Sequence, residues 1–238
     1  MQYHGVNPHS ILCVTFTNKA AEELKSRLQQ LIGIHNPSWV RTIHSACLQM
    51  IKPYIVSLGY QDNFTITSMS KQKTILRQVL KDMRVGNDAG KVNKMLVMIS
   101  RCKDYPNPVK HLEENYKDVD QAKQIYGAYH ERMRENNFLD FDDILYHAYW
   151  LIKTNAEFKQ RCFDEFQYIL VDEYQDVNNI QYLLIKELGN NITVVGDDYQ
   201  AIYAFRGSDP KYFINFTENY TGAQTFKLEQ NYRSGHQD

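Results

Sequence analysis

Asp172 and Glu173 are adjacent carboxylates placed directly behind an apolar run, Tyr168, Ile169, Leu170 and Val171, and Asp176 follows shortly after. A short apolar run rich in β-formers reads as a buried strand. The acids are therefore delivered at the strand's C-terminal end, where open parallel sheets bind their ligands. An aspartate there suits a magnesium ion held directly or through water. A glutamate beside it can orient or deprotonate an attacking water. An acid-rich surface turn has the same composition and is the competing reading.

A second group lies in "VVGDDYQAIYAFRGSDP", residues 194–210. Gly196 permits a sharp exit from a strand. Gln200 offers an uncharged amide that can sense a phosphate oxygen or a water. Tyr203, Phe205 and Arg206 bring two rings and a guanidinium close together, a set that can stack single-stranded bases and contact phosphate. Aromatics at alternate positions also pack inward as plain core, so both readings stand. In "LEQNYRS", 228–234, Tyr232 and Arg233 follow an expected strand. Such a pair can stack a purine and reach a phosphate, but surface Tyr–Arg pairs are common.

Elements must hold these residues. "ILCVTF", 11–16, is an expected buried strand, and a helix follows with Thr17 or Asn18 as its cap and Gly33 as its end. Ala21, Leu24, Leu28 and Leu31 share one face of that helix. "WVRTIHSACLQMI", 39–51, reads as a short strand entering another helix. From about Gln61 to Asn137 the pattern is helix after helix: one capped by Ser70, one near 91–103 ended by "YPNP", and one over 119–136. At 138–152 an acidic cap leads into an amphipathic helix. Strands are expected again at 168–172, 192–196 and 225–228, with the helix "NNIQYLLIKELG" between the first two. The predicted architecture is α/β: a parallel sheet with helices on both faces, formed by 1–60 and 138–238, interrupted by an all-helical subdomain at 61–137.

Composition agrees with a globular domain. The 238 residues are 43% hydrophobic, and no stretch approaches the roughly 18 apolar residues of a membrane span. Cys13, Cys47, Cys102 and Cys162 are far apart and form no CxxC, so they read as reduced core residues of a cytoplasmic protein. The histidines show no metal-ligand spacing. Net charge is +3 over residues 1–60, +4 over 61–137 and −8 over 138–238. The mildly basic first half suits a polyanion or, equally, a solvated helical surface.

Six strings carry a resemblance: "TFTNKAA" (15–21), "TIHS" (42–45), "DFDD" (140–143), "LVDEYQDVNNIQ" (170–181), "VGDDYQAIYAFRGSD" (195–209) and "LEQNYRS" (228–234). In order and spacing they are similar to successive motifs of UvrD/PcrA/Rep-type superfamily 1 DNA helicases. The resemblance implies a RecA-like fold and an ATP- and magnesium-dependent motor that moves 3′ to 5′ on single-stranded DNA and separates duplex at junctions. It implies that Asp172 associates with Mg2+, Glu173 is the catalytic base, and Gln200 couples the γ-phosphate to DNA. It implies that Tyr232 stacks on adenine and Arg233 contacts the γ-phosphate. Phe16, Tyr203 and Phe205 match base-stacking positions. Thr15, Asn18, His44 and Arg206 match positions near the DNA strand or between motifs, with a core or helix-start role open for His44. A helix-capping role is expected for Asp140, Asp142 and Asp143. Phe205 stands where many relatives carry Trp, and Tyr199 and Ala201 replace a frequent Asp and Ser.

The phosphate loop GxxxxGK[ST] is not in the sequence. "GNDAGKV", 86–92, has one residue too few between its glycines, and Val92 lacks the hydroxyl that would meet magnesium. The expectation is a chain that begins just beyond its nucleotide cradle and stops before the second motor domain. Such a chain alone is expected to show no ATPase or unwinding, and to expose a sheet edge or apolar face that favours association. Two further readings remain open: a catalytically inactive single-strand-binding remnant, and part of a helicase–nuclease subunit.

Overall fold

The structure is a computed structural model, and it describes residues 5–33, 37, 39–189, 191–200 and 207–228. A four-stranded parallel sheet has the order β2-β1-β5-β6, formed by β1 (Ile11–Thr15), β2 (Val40–Thr42), β5 (Tyr168–Val171) and β6 (Ile192–Val194). A separate parallel pair joins β3 (Thr65–Ile66) to β4 (Phe138–Leu139). Parallel strands need crossovers, and helices supply them. Helix α1 (Asn18–Ile32) leads from β1 towards β2, and α9 (Asn179–Leu188) links β5 to β6.

Local chemistry sets the helix ends. The Thr17 hydroxyl accepts the Ala20 N–H at 3.1 Å, and Gly33 closes α1 in the left-handed region at φ 66°. Asn178 and Gln181 form a reciprocal capping box on α9. Ser68, not Ser70, caps α3 (Met69–Asp82), because its backbone is extended and its hydroxyl accepts the Lys71 N–H. Pro108 does not simply end a helix. It opens the short helix α5 (Pro108–Asn115), behind an Asn107 cap.

Two hydrophobic clusters form. One lies beneath the main sheet, where Leu12, Val14, Ile169 and Val171 meet α2 (Ile43–Ile51), α7 (Phe141–Thr154) and α9. Helix α8 (Ala156–Glu165), which the sequence pattern did not separate, closes this core with Phe158 and Cys162. The other cluster is helical: Leu76, Leu80, Ile99, Cys102, Leu112, Ile125, Tyr129 and Met133, from α3, α4 (Ala89–Lys103), α5 and α6 (Val119–Glu135).

The opposite sheet face is covered at β1, where Ile11 and Thr15 are buried, but not at β5. Tyr168 and Leu170 remain 39% and 36% exposed while their neighbours Ile169 and Val171 are buried. On α1 only Ala21 is buried, and Leu31 is 79% exposed, so the expected apolar face is not packed along its length. The strand expected at 225–228 does not form. Residues 223–228 carry no regular structure, and Phe226 and Leu228 are exposed. Among the described residues no ladder partner satisfies their backbone, and a lone strand has no stability of its own.

A buried polar contact joins the two clusters. Lys103, at the end of α4, is buried, and its ammonium lies 2.6 Å from Asp140 Oδ2 and 2.7 Å from Asp143 Oδ1. Asp140 and Asp143 are the capping box of α7, each accepting the other's backbone N–H. Burial acts to discharge the lysine, but Asp140 and Asp143 outweigh it and hold its pKa well above the ordinary value. Removing one partner of such a group strands the others without compensation. K103A is expected to cost about 3–5 kcal/mol. Urea unfolding of the chain and its variant measures this.

Candidate nucleotide and DNA-facing site

The parallel register brings four strand ends to one edge. Thr15 pairs with Thr42, Val14 with Val171, and Val171 with Val194. Asp172 follows at once, with its N–H donated to the Val14 carbonyl at 3.0 Å. Burial, and then the neighbouring Glu173 charge, raise the Asp172 pKa above its ordinary value. A divalent cation relieves that kind of crowding, and one hard carboxylate with water and phosphate ligands is the usual magnesium arrangement. Among the described residues no group of three or more His, Cys, Asp or Glu could hold a metal ion by itself. A single strand-end carboxylate such as Asp172 fits a divalent cation whose other ligands are water and phosphate oxygens.

Glu173 adopts φ 53°, ψ 41°, in the left-handed region that a non-glycine residue enters at a cost of about 1–2 kcal/mol. Two links hold the turn behind it against β6. The Tyr174 N–H donates to the Val195 carbonyl at 2.9 Å. The buried Gln175 side chain accepts the Asp197 N–H at 3.1 Å and donates to Glu173 Oε2 at 2.7 Å. Asp197 in turn receives the Gln200 amide at 2.6 Å on Oδ2 and the Tyr199 N–H at 3.0 Å on Oδ1. Asp197, with Gly196, is a polar strand end legible in the sequence, but nothing local marks Gln175. Gly196, expected as a sharp exit from the strand, lies just beyond the end of β6, and a close approach there adds a second reason for glycine. A Cβ at Gly196 would lie 2.5 Å from Gln175 Oε1.

Asp172, Glu173 and Gln200 are therefore brought to one loop system. Thr15 ends β1 in the same row but is buried, and its hydroxyl donates to the Thr17 carbonyl at 3.1 Å. It shapes the turn into α1. Phe16 packs half-buried against the main core, while Asn18 opens α1 and is exposed. His44, near the start of α2, meets Phe141 edge-on at 5.9 Å between centroids. Burial, opposed by Asp142, lowers its pKa and favours the neutral ring. Tyr203, Phe205, Arg206, Tyr232 and Arg233 lie outside the described residues. Val92 is buried on α4 and Asp88 caps that helix, so "GNDAGKV" is a helix start within the helical cluster.

The site also reaches the helical cluster. Asp104, next to Lys103, accepts the Asn178 amide at 2.8 Å, and its backbone carbonyl accepts the Asn179 amide at 2.8 Å. These asparagines start α9, directly behind the Asp172 turn.

A parallel α/β sheet with acids at its carboxyl edge is the arrangement of nucleotide-binding α/β domains, and the family match below makes this one RecA-like. Residues 1–221 match the family model described as the UvrD/REP helicase N-terminal domain. The chain is 37% identical to "ATP-dependent DNA helicase PcrA" of Staphylococcus epidermidis over 96% of its own length and 32% of that protein. It is 35% identical to the Staphylococcus aureus protein of the same name, with the same coverage. The chain thus spans about a third of the length of these curated relatives. It belongs to the UvrD/REP helicase N-terminal domain family.

Burial first, and then the Asp142 charge, raise the Asp104 pKa to about 7, with Arg101 opposing. Folding favours its protonated form, so that stabilisation is complete below about pH 4 and is lost as pH rises through about 7. D104N keeps an acceptor for Asn178 without the charge. Thermal melts at pH 5 and pH 8 are expected to show a smaller loss of Tm in D104N, with the variant the more stable at pH 8.

Proposed function

We propose that this chain supplies part of the first motor domain of an ATP-driven DNA helicase that translocates 3′ to 5′ along single-stranded DNA and opens duplex at junctions. The observation that carries the reading is the Asp172–Glu173 pair at the carboxyl end of β5, linked through Gln175 and Asp197 to Gln200. Residues 1–60 and 138–238 would form the motor domain and 61–137 a helical insertion. The two hydrophobic clusters and the Lys103 contact between them support this division.

Magnesium–ATP, when bound, supplies the electrophilic γ-phosphoryl group and a cation that spreads its charge. Asp172 would hold that cation directly or through water. Glu173 would orient the attacking water and hold its proton. Gln200 would sense the γ-phosphate, and Tyr232 and Arg233 would meet adenine and γ-phosphate. Phe16, Asn18, His44, Tyr203, Phe205 and Arg206 would line the DNA side of the same edge, with Thr15 shaping its first turn.

The relatives are about three times longer, and the rest of the machine belongs to the regions this chain does not match. The phosphate cradle and an opposing motor domain would come from there. Without them the 238-residue chain is expected to turn over no ATP.

In the full-length protein that carries this chain, E173Q keeps the shape of the side chain and removes the base. Single-stranded DNA is expected to stimulate wild-type ATP hydrolysis. E173Q should lower kcat by about 100- to 10,000-fold with little change in KM. A wild-type protein without DNA-stimulated turnover would contradict the reading, as would E173Q at wild-type rate.

A further inference from the structure

We propose that Gln175 is a positioning residue that holds Glu173 and transmits to it the position of the 196–200 loop. The inference rests on the helicase reading above and deepens it. A single buried amide is used from both ends. Its carbonyl accepts the Asp197 N–H at 3.1 Å, and its NH2 donates to Glu173 Oε2 at 2.7 Å. The backbone N–H can only donate, so the amide oxygen must face Asp197 and the NH2 must face the carboxylate. No other orientation satisfies both neighbours.

Three further observations give the bridge its function. Glu173 sits in left-handed backbone at φ 53°, so its side chain is aimed by what surrounds it rather than by a relaxed main chain. Gly196 leaves room for the amide, since a Cβ there would meet Gln175 Oε1 at 2.5 Å and Gln175 N at 3.3 Å. Asp197 carries the connection onward, because its carboxylate binds the Gln200 amide at 2.6 Å. Glu173, Gln175, Asp197 and Gln200 are thus one hydrogen-bonded chain from the water-activating group to the residue expected to face the γ-phosphate. Movement of the 196–200 loop displaces Asp197 N–H, and Gln175 pulls the Glu173 carboxylate with it. Loop movement on DNA engagement would then set the position of the base.

The test uses Q175M, Q175E and G196A. In the 238-residue chain, NMR hydrogen exchange at the Asp197 amide reads the bridge directly. Q175M should speed that exchange by about tenfold or more, while Q175E, which keeps an acceptor, should not. In the full-length protein, Q175M should lower DNA-stimulated kcat by about 10- to 100-fold with KM for ATP within about twofold. Q175E places a like charge beside Glu173 and should move the acid limb of the kcat–pH profile up by about one pH unit. G196A, which pushes on the amide from the opposite side, should reproduce the kcat loss even if Q175M does not fold. Unchanged Asp197 exchange in Q175M, or wild-type kcat and pH profile in Q175E and G196A, would overturn the inference. A wild-type protein without DNA-stimulated turnover would instead sink the helicase reading and the catalytic half of this one, and the amide exchange would still decide the bridge.

Discussion

The ammonium of Lys103 has no water to turn to. It is fully buried, and its charge is tolerable only because Asp140 and Asp143 lie within 2.7 Å. That single constraint fixes the end of α4 against the first turn of α7. Helix α7 packs on α2 and α9, which carry His44 and follow the Asp172 turn. The next residue, Asp104, binds the two asparagines that start α9. Consecutive residues of one helix end therefore index the helical cluster onto the carboxyl edge of the sheet. Hydrophobic packing alone is non-directional and would not specify that register. A buried ion pair between two clusters does so because any slip leaves a charge unpaired.

The carboxyl edge of the sheet has a different physics. It is built from exposed or strained parts: a left-handed glutamate, an aspartate whose charge is disfavoured by burial and by its neighbour, and an exposed Gln200. None of these favours the fold. They are held by links that have no slack: Tyr174 N–H to Val195, Gln175 to both Glu173 and Asp197, and a glycine where no side chain fits. Stability is concentrated beneath the sheet, and the edge above it is where local strain can be used.

Much of this was legible in the sequence for identifiable reasons. Tyr168–Val171 followed by two acids marks a strand end because apolar runs stop where the chain leaves the core, and β5 stops there. Thr17 and Gly33 bracket α1 because caps act within a few residues. The acidic cap of α7 was legible for the same reason. Its buried partner Lys103 was not, because the pairing spans 37 residues and a lysine on a helix normally faces water. Gln175 was hidden in plain view: its role depends on β6 lying beside β5, which no local pattern records. Residues 225–228 have strand composition, yet composition supplies no ladder partner. The family, by contrast, was legible from motif order alone, and the match over residues 1–221 bears it out.

In the proposed reading, the turn after β5 and the loop after β6, bridged by Gln175, respond to nucleotide as one unit. Hydrogen–deuterium exchange of the full-length protein, with and without a non-hydrolysable ATP analogue, magnesium and oligo-dT, reads that coupling. Nucleotide is expected to protect the peptides covering 171–177 and 195–200 together, and DNA to alter both in the same step. Protection of one segment with the other unchanged, or no response to nucleotide in either, would contradict that reading.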